Sequence, residues 1–512
     1  MFYDRYVENR NVDQNEFRGK SAKVSPIPVF DEIRDALPHP FWQRHEDEIA
    51  CYWKAWALAF QHIKEPTGEN GFVSNFLATC FNDYLFLWDS VFALVFGKYG
   101  RRVFNFQETL DNLYAKQHPD GFICRELAEE DGTDRFHRFD PSSTGPNILP
   151  WSEWESYQVT GDKLRLAQVF PVLLAYHQWL RAYRTWPDGT YWSSGWGAGL
   201  DNQPRLLKKA FRSGRESESS AFFHGHMTWV DSCLQAIFSA RILLAMSEAL
   251  GNADEAEMKD LQDEALSLTG ALNGRCWDER TSYYYDIYSD GSLSSVKTIS
   301  AYWALLADVV PSDRLSAFLA HLENPEEYNR PHRVPSMPAD MEGYCPEGNY
   351  WCGGVWVFTN YMVLKGLTRV GYDALAHDIA LNHLKNVTQV YRETGTIWEN
   401  YAPEGAVRGT PAKPDFVGAG GITPIAILFE YILGLRAEEA NAKLVWDVRR
   451  LEAHGVKNYP FGERGVLDLQ CEERQSDDEE PRISVVSNIP IRLECRWNHG
   501  ARSETRVVLP NR

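Results

Sequence analysis

The chain has 512 residues, 44% hydrophobic and 24% charged, a balance that fits a folded protein with one large domain and a smaller companion. Its net charge of −19 argues against a general nucleic-acid binder, which needs a positive surface. Residues 1–10 carry no basic-then-apolar leader, no run of 18 apolar residues offers a membrane span, and nine cysteines without a CxxC pair or zinc spacing point to a reduced, cytoplasmic setting.

Residues 1–40 read as irregular, punctuated by Pro26, Pro28, Pro38 and Pro40. From 41 to 440 the period is helical, with helices expected near 46–62, 89–98, 105–116, 171–184, 228–250, 254–270, 296–308, 312–321, 354–370, 373–388 and 422–435. In the clearest of them Val230, Cys233, Leu234, Ile237 and Phe238 form one buried stripe, and Gly251 supplies a C-cap. Loops rich in Gly, Pro, Asn, Asp and Trp separate the helices. About a dozen helices with such long, decorated connections predict a mainly α fold, six hairpins closed into an (α/α)6 barrel whose loops gather at one end. Residues 441–512 change to short apolar runs, Val466-Leu467, Ile483 to Val486 and Ile491 to Cys495, between charged turns. They read as a small antiparallel β domain with a structural role.

Five segments carry residue types suited to chemistry on a sugar. In 191–205 three glycines in five positions surround Trp196 and lead to Asp201, Asn202 and Arg205. A carboxyl in a partly apolar loop has its pKa raised, as a general acid near neutral pH requires; the plainer alternative is that Asp201 caps a turn or pairs with Arg205. In 393–405 Glu399 stands between Trp398 and Asn400-Tyr401, and a carboxylate there suits a general base. The run Tyr350-Trp351-Cys352-Gly353-Gly354-Val355-Trp356 suggests an aromatic wall. In Phe86-Leu87-Trp88-Asp89 the acid can accept hydrogen bonds from two hydroxyls. A turn at Pro119-Asp120-Gly121 leads to Arg125 and Glu126. Taken singly, each of these reads equally well as core packing plus an ion pair.

Together and in order, the segments resemble the trehalase-like clan of glycoside hydrolases, most closely family 63 and its bacterial mannosylglycerate and glucosylglycerate hydrolases. Trp88-Asp89 resembles the family's WD pair, and Arg125-Glu126 its Arg-Glu pair after a Gly turn. Gly199, Asp201, Asn202, Pro204 and Arg205 resemble its G-x-D-N-x-P-R segment, and Tyr350, Trp351, Gly353 and Trp356 its Y-W-x-G-x-x-W segment. Glu399, Tyr401 and Pro403 resemble its E-x-Y-x-P segment. The resemblance covers roughly residues 80–435. It implies an (α/α)6 barrel and an inverting mechanism, with Asp201 as general acid and Glu399 as general base. The sugar would lie among Phe86, Trp88, Asp89, Arg125, Glu126, Trp196, Gly199, Asn202, Arg205, Tyr350, Trp351, Trp356, Trp398 and Tyr401. Two departures stand at the rim: Gly354, where the family often has Pro, and the run from Phe416 to Ile422, where it often has a Trp-Ser pair.

The expected activity is exo-acting hydrolysis of a small α-glucoside or α-mannoside. The rival readings are a sugar isomerase or epimerase using His224 and His226, an inverting phosphorylase, and a non-catalytic carbohydrate-binding protein on the same barrel. His224-x-His226 lacks a third ligand at useful spacing, so neither a metal nor a cofactor is expected. Residues 212–226, polar and rich in Ser and Gly, read as a lid over the site. The expected partner is a small carbohydrate, with no nucleic acid or membrane; no interface stripe separates from the core, so the sequence specifies no oligomeric state.

Overall fold

The computed structural model describes residues 7–78, 82–205, 222–251, 254–438 and 442–512. Among them, twelve helices alternate between an inner and an outer ring. The inner helices are α2 (Leu87–Gly97), α4 (Leu149–Thr160), α6 (Val230–Leu250), α8 (Trp303–Leu306), α10 (Val357–Arg369) and α12 (Ile422–Ile432). Each packs on the next, and α12 closes the ring against α2. The outer helices are α1 (Glu46–Gln61), α3 (Thr109–Ala115), α5 (Lys163–Tyr183), α7 (Glu255–Ala271), α9 (Ser312–Glu323) and α11 (Asp373–Thr394). This is the six-hairpin barrel that the helix count and the resemblance imply.

Ring position explains composition. Inner helices touch neighbours on nearly every side, so α2 and α12 are apolar almost all round. The length and apolarity of α6 would suffice for a membrane span, but 67% of its most apolar window is buried inside the protein. The outer helix α11 is amphipathic: it buries Ile379, Ala380, Leu384 and Val387 and exposes the opposite face. Caps fix the ends of other outer helices: Asp162 accepts from Arg165 N–H to start α5, and Asp254 accepts from the N–H groups of Ala256 and Glu257 to start α7.

Two helices differ from the sequence reading. The inner helix α4 has no apolar stripe, because it buries Ser152, Glu153 and Ser156 together with Trp151. Helix α5 starts at Lys163, eight residues before Pro171, which sits inside the helix; a proline ordinarily marks a helix start, hence the expected boundary at 171.

The chain runs from inner to outer helices through short turns such as 161–162 and 370–372, and from outer to inner helices through long segments, 116–148, 184–229, 272–302, 324–356 and 395–421. The long segments therefore meet at the end of the barrel where the inner helices begin. At the other end, buried Lys98 bridges Glu430 at 3.0 Å and Glu155 at 3.2 Å, and Lys365 bridges Glu155 at 2.9 Å. Tyr361 Oη also donates to Glu430 at 2.8 Å, so this ionic plug ties together α4, α10, α12 and the residue that ends α2.

Two four-stranded sheets complete the molecule. One runs β1 (His39–Trp42), β4 (His454–Phe461), β5 (Gly465–Cys471), β6 (Ile483–Ser487), antiparallel throughout. The other runs β8 (Arg502–Val508), β7 (Ile491–Trp497), β3 (Lys443–Asp447), β2 (Leu435–Glu438). Here the β7–β3 pair is parallel, so the region is not purely antiparallel. Strand β1 comes from the boundary of the segment read as irregular, and β2 begins before 441. Tyr459 on β4 packs on Tyr99 and Phe429, so the sheets sit against the end of the barrel away from the long loops.

Candidate active site

The long segments enclose a cavity of about 240 Å³ at the mouth of the barrel, smaller than the roughly 300–1,000 Å³ of a drug-sized pocket. Phe86, Trp88 and Asp89 line it from the start of α2, and Arg125 and Glu126 from the segment after α3. Trp196, Gly199 and Asp201 come from the segment before α6, Tyr350, Trp351 and Trp356 from the one before α10, and Glu399 from the one before α12. The short antiparallel pair Tyr84–Phe86 with Glu126–Ala128 sets Phe86 opposite Glu126.

The acid-bearing segment is shaped locally. Ser194 accepts from Gly197 N–H and starts a single helical turn, Gly195–Ala198. Gly199 ends that turn at φ +73°, where a Cβ would meet the Trp88 ring at 3.2 Å. Trp88 thus lies directly against the Gly199 backbone, with Asp201 two residues on. Trp196 is flanked by two guanidinium groups, Arg125 at 5.2 Å and Arg135 at 5.1 Å from its ring centre. Both arginines pair with buried Glu126: Arg125 reaches Oε1 at 2.5 Å and Arg135 reaches Oε2. Arg125 Nε also donates to the Ser142 carbonyl at 2.7 Å.

The aromatic wall is a stack. Trp351 and Trp356 lie 4.0 Å apart at an interplanar angle of 5°, Trp356 continues onto Phe358, and Tyr350 meets the edge of Trp356. Tyr350 has φ +55°, and its carbonyl accepts from Trp356 Nε1 at 3.1 Å and from Gly354 N–H at 3.0 Å. The glycine at 354 follows from this turn: a Cβ there would lie 2.2 Å from the Tyr350 carbonyl oxygen, and a proline would have no N–H to donate.

Glu399 is 4% exposed and held at three points. Its N–H donates to the Lys413 carbonyl at 3.0 Å, its Oε1 accepts from Tyr350 Oη at 3.0 Å, and its Oε2 accepts from Lys413 N–H at 3.1 Å. Burial holds the Glu399 pKa above its ordinary value, and the Tyr350 and Lys413 donors offset this only in part. Burial pushes Asp201 up to about 6; the Arg125 charge opposes this and Glu126 adds to it. Asp89 rises furthest, to about 8, from burial and from the nearby Glu399 and Glu126 carboxylates. The cavity therefore holds carboxyls of graded acidity.

Four residues expected at the sugar do not line the cavity: Arg205 and Tyr401 are buried, Trp398 is half-buried and Asn202 is exposed. Arg205 is 1% exposed and forms paired bonds to Asp231 (2.5 and 3.0 Å) and Asp286 (2.6 and 2.9 Å) while stacking on Trp229. Its charge is spent on this buried triad, which anchors the acid-bearing segment to the start of α6. Asn202 bonds to the backbone of Asn349 and Trp351. Trp398 donates to Thr394 Oγ1 and stacks with Arg408. Tyr401 is buried, and its hydroxyl accepts from Trp398 N–H at 3.3 Å.

Sequence reasoning missed Asn82, Arg135, Gly145, Pro146, Phe358 and Lys413, and assigned no role to Phe416; all line the cavity. Arg135 carries a signal in hindsight, a second cation ten residues after Arg125. Lys413 carries none, since it contributes a main-chain N–H.

His224 and His226 do not line the cavity; they pack on Trp186. Of the expected lid, residues 212–221 lie outside the described residues. Among the described residues, no three His, Cys, Asp or Glu side chains converge as a metal site would require.

Residues 82–414 match the mannosylglycerate hydrolase MGH1-like glycoside hydrolase domain. The chain is 25% identical over 354 residues to mannosylglycerate hydrolase of Thermus thermophilus, covering 57% of this chain and 83% of that one. It is 25% identical over 287 residues to a probable mannosyl-oligosaccharide glucosidase of Schizosaccharomyces pombe, covering 49% of this chain and 33% of that one. The crystal structure of a GH63 mannosylglycerate hydrolase from Thermus thermophilus in complex with glucose superposes with a TM-score of 0.58 at 20% identity, over 73% of this chain and 98% of that one. Neutral trehalase Nth1 of Saccharomyces cerevisiae superposes with a TM-score of 0.53 at 11% identity, over 72% of this chain and 76% of that one, and shares the same fold. The chain therefore belongs to the MGH1-like glycoside hydrolases of family 63.

Proposed function

We propose that this glycoside hydrolase is an inverting, exo-acting α-glycosidase of a small α-glucoside or α-mannoside, with Asp201 as general acid and Glu399 as general base. The observation that carries the reading is that one small cavity holds both carboxyls, from distant parts of the chain, with hydrogen-bond donors on Glu399 and a raised pKa on Asp201. Asp201 is half-buried and pushed to about 6, so a substantial fraction carries a proton on the acid side of neutrality. Glu399 is fastened by a hydroxyl and an amide that both favour its charged form.

In the proposed mechanism Asp201 gives its proton to the glycosidic oxygen as that bond breaks. Glu399 takes a proton from a water molecule, which attacks the anomeric carbon from the opposite face, so configuration inverts in a single displacement. Trp88 and the Trp351–Trp356 stack offer flat apolar faces to the sugar ring, and Asp89 offers hydrogen bonds to its hydroxyls. The small cavity suits one terminal sugar residue.

Purified enzyme incubated with glucosylglycerate, mannosylglycerate, trehalose, kojibiose and nigerose tests the reading. Free hexose is expected from at least one of them, and is expected to vanish in Asp201→Asn and Glu399→Gln. Near-normal turnover by Glu399→Gln would remove the base from this scheme.

A further inference from the structure

Asn202 follows the proposed acid directly in the chain, yet its side chain reaches into the opposite wall. Its Oδ1 accepts from Trp351 N–H at 2.8 Å, and its Nδ2 donates to the Asn349 carbonyl at 3.1 Å. Its own carbonyl accepts the Cys352 thiol at 3.1 Å. Three hydrogen bonds thus grip the tetrapeptide Asn349–Cys352 on either side of Tyr350.

Tyr350 needs such a grip. It sits at φ +55°, a region unfavourable for a side chain of its size, and its hydroxyl holds Oε1 of Glu399. A continuous path therefore runs from Asp201 through Asn202 and the Asn349–Trp351 backbone to Tyr350 and Glu399. An asparagine suits this place because one planar group presents an acceptor to an N–H and a donor to a carbonyl. An aspartate lacks the donor, and a serine is too short to span both.

We infer that Asn202 is a positioning residue that ties the acid-bearing segment to the base-holding Tyr350 and so sets the two carboxyls relative to each other. This rests on Asp201 and Glu399 being acid and base. Asn202 is exposed, but both ends of its side-chain amide are engaged by the Asn349 and Trp351 backbone, so it acts on the reaction through the wall it holds.

The test is Asn202→Ala beside Tyr350→Phe and the double variant, with kcat and KM measured across pH. Asn202→Ala is expected to lower kcat by about ten- to a hundredfold, with KM nearly unchanged, because misplaced catalytic groups cost turnover rather than ground-state binding. Its acid limb of kcat/KM moves to higher pH, as in Tyr350→Phe, and the double variant moves no further than Tyr350→Phe alone. The groups facing Glu399 are Tyr350, Lys413, Asp89 and Asp201, and Asn202→Ala removes none of them. Asn202→Ser, which adds no charge and keeps one short polar group, shifts the acid limb no further than Asn202→Ala and covers the case in which the alanine variant does not fold.

An acid limb at its original position, or additive shifts in the double variant, would overturn the inference. Asp201→Asn and Glu399→Gln separate the two failures. If they are inactive while Asn202→Ala behaves as wild type, only the role of Asn202 falls; if they turn over normally, the acid and base assignment falls first.

Discussion

Replacing Tyr350 with Phe removes one oxygen atom and should move one limb of the pH profile. In the structure that hydroxyl donates to Oε1 of Glu399 at 3.0 Å, while Lys413 N–H serves Oε2 at 3.1 Å. A hydrogen bond to a charged group contributes about 1.5–3 kcal/mol. A neutral carboxyl accepts the same bond more weakly, so roughly half of that figure distinguishes the two protonation states. At about 1.36 kcal/mol per unit, the Glu399 pKa should rise by about one unit. The base works ionised, so the acid limb of kcat/KM shifts upward by about one unit and activity below it falls about tenfold. The basic limb belongs to the protonated acid, about 6 for Asp201, and should stay near its wild-type position, so the bell narrows from its acid side. The assay is kcat/KM against pH for both proteins on the substrate found by the panel, with circular dichroism to show that the variant is folded. The two apparent values belong to the coupled carboxyls as a set, so the shift between proteins is the quantity to compare. An acid limb that stays in place, or moves downward, would refute the argument that Tyr350 sustains the charge on Glu399.

Two further outcomes are expected. Asp89 is pushed to about 8 and so is mostly neutral at pH 7; Asp89→Asn should therefore raise KM only a few-fold, whereas Asp89→Ala loses the hydrogen bonds and about tenfold or more in kcat/KM, and equal losses in the two variants would show that the charge matters. Arg205→Met should leave Asp231 and Asp286 buried without their partner and cost about 3–5 kcal/mol of stability, read as a lower urea midpoint; a change below about 1 kcal/mol would mean that the triad does not anchor the acid-bearing segment.

The barrel was legible because most of its helices carry an apolar pattern or a clear cap. It was least legible where packing departs from pattern. Helix α4 lies in the inner ring yet buries Ser152, Glu153 and Ser156, groups that no periodicity marks as core. Strand β2 is Leu435-Arg-Ala-Glu438, which carries little β signal until β3 pairs with it. In the site, motif order pointed to the residues that line the cavity, since aromatic and acidic side chains in Gly-rich loops mark a sugar pocket. It did not separate lining from support. Arg205 and Asn202 stand in the same motif as Asp201, but one holds a buried ion triad and the other a backbone turn. A one-dimensional motif records that residues serve one site without recording which way each side chain reaches. Lys413 was invisible for a different reason, because any residue other than proline supplies the N–H that Glu399 uses.

Inversion at the anomeric carbon, with Asp201 and Glu399 acting from opposite faces, is the step on which both residue roles depend. Proton NMR of the first-formed sugar, recorded on fresh enzyme with whichever α-linked substrate it hydrolyses and before mutarotation sets in, tests it most directly. The β-anomer is expected to appear first and the α-anomer only later, at the mutarotation rate. An α-anomer released first would contradict single displacement and with it the roles given to both carboxyls.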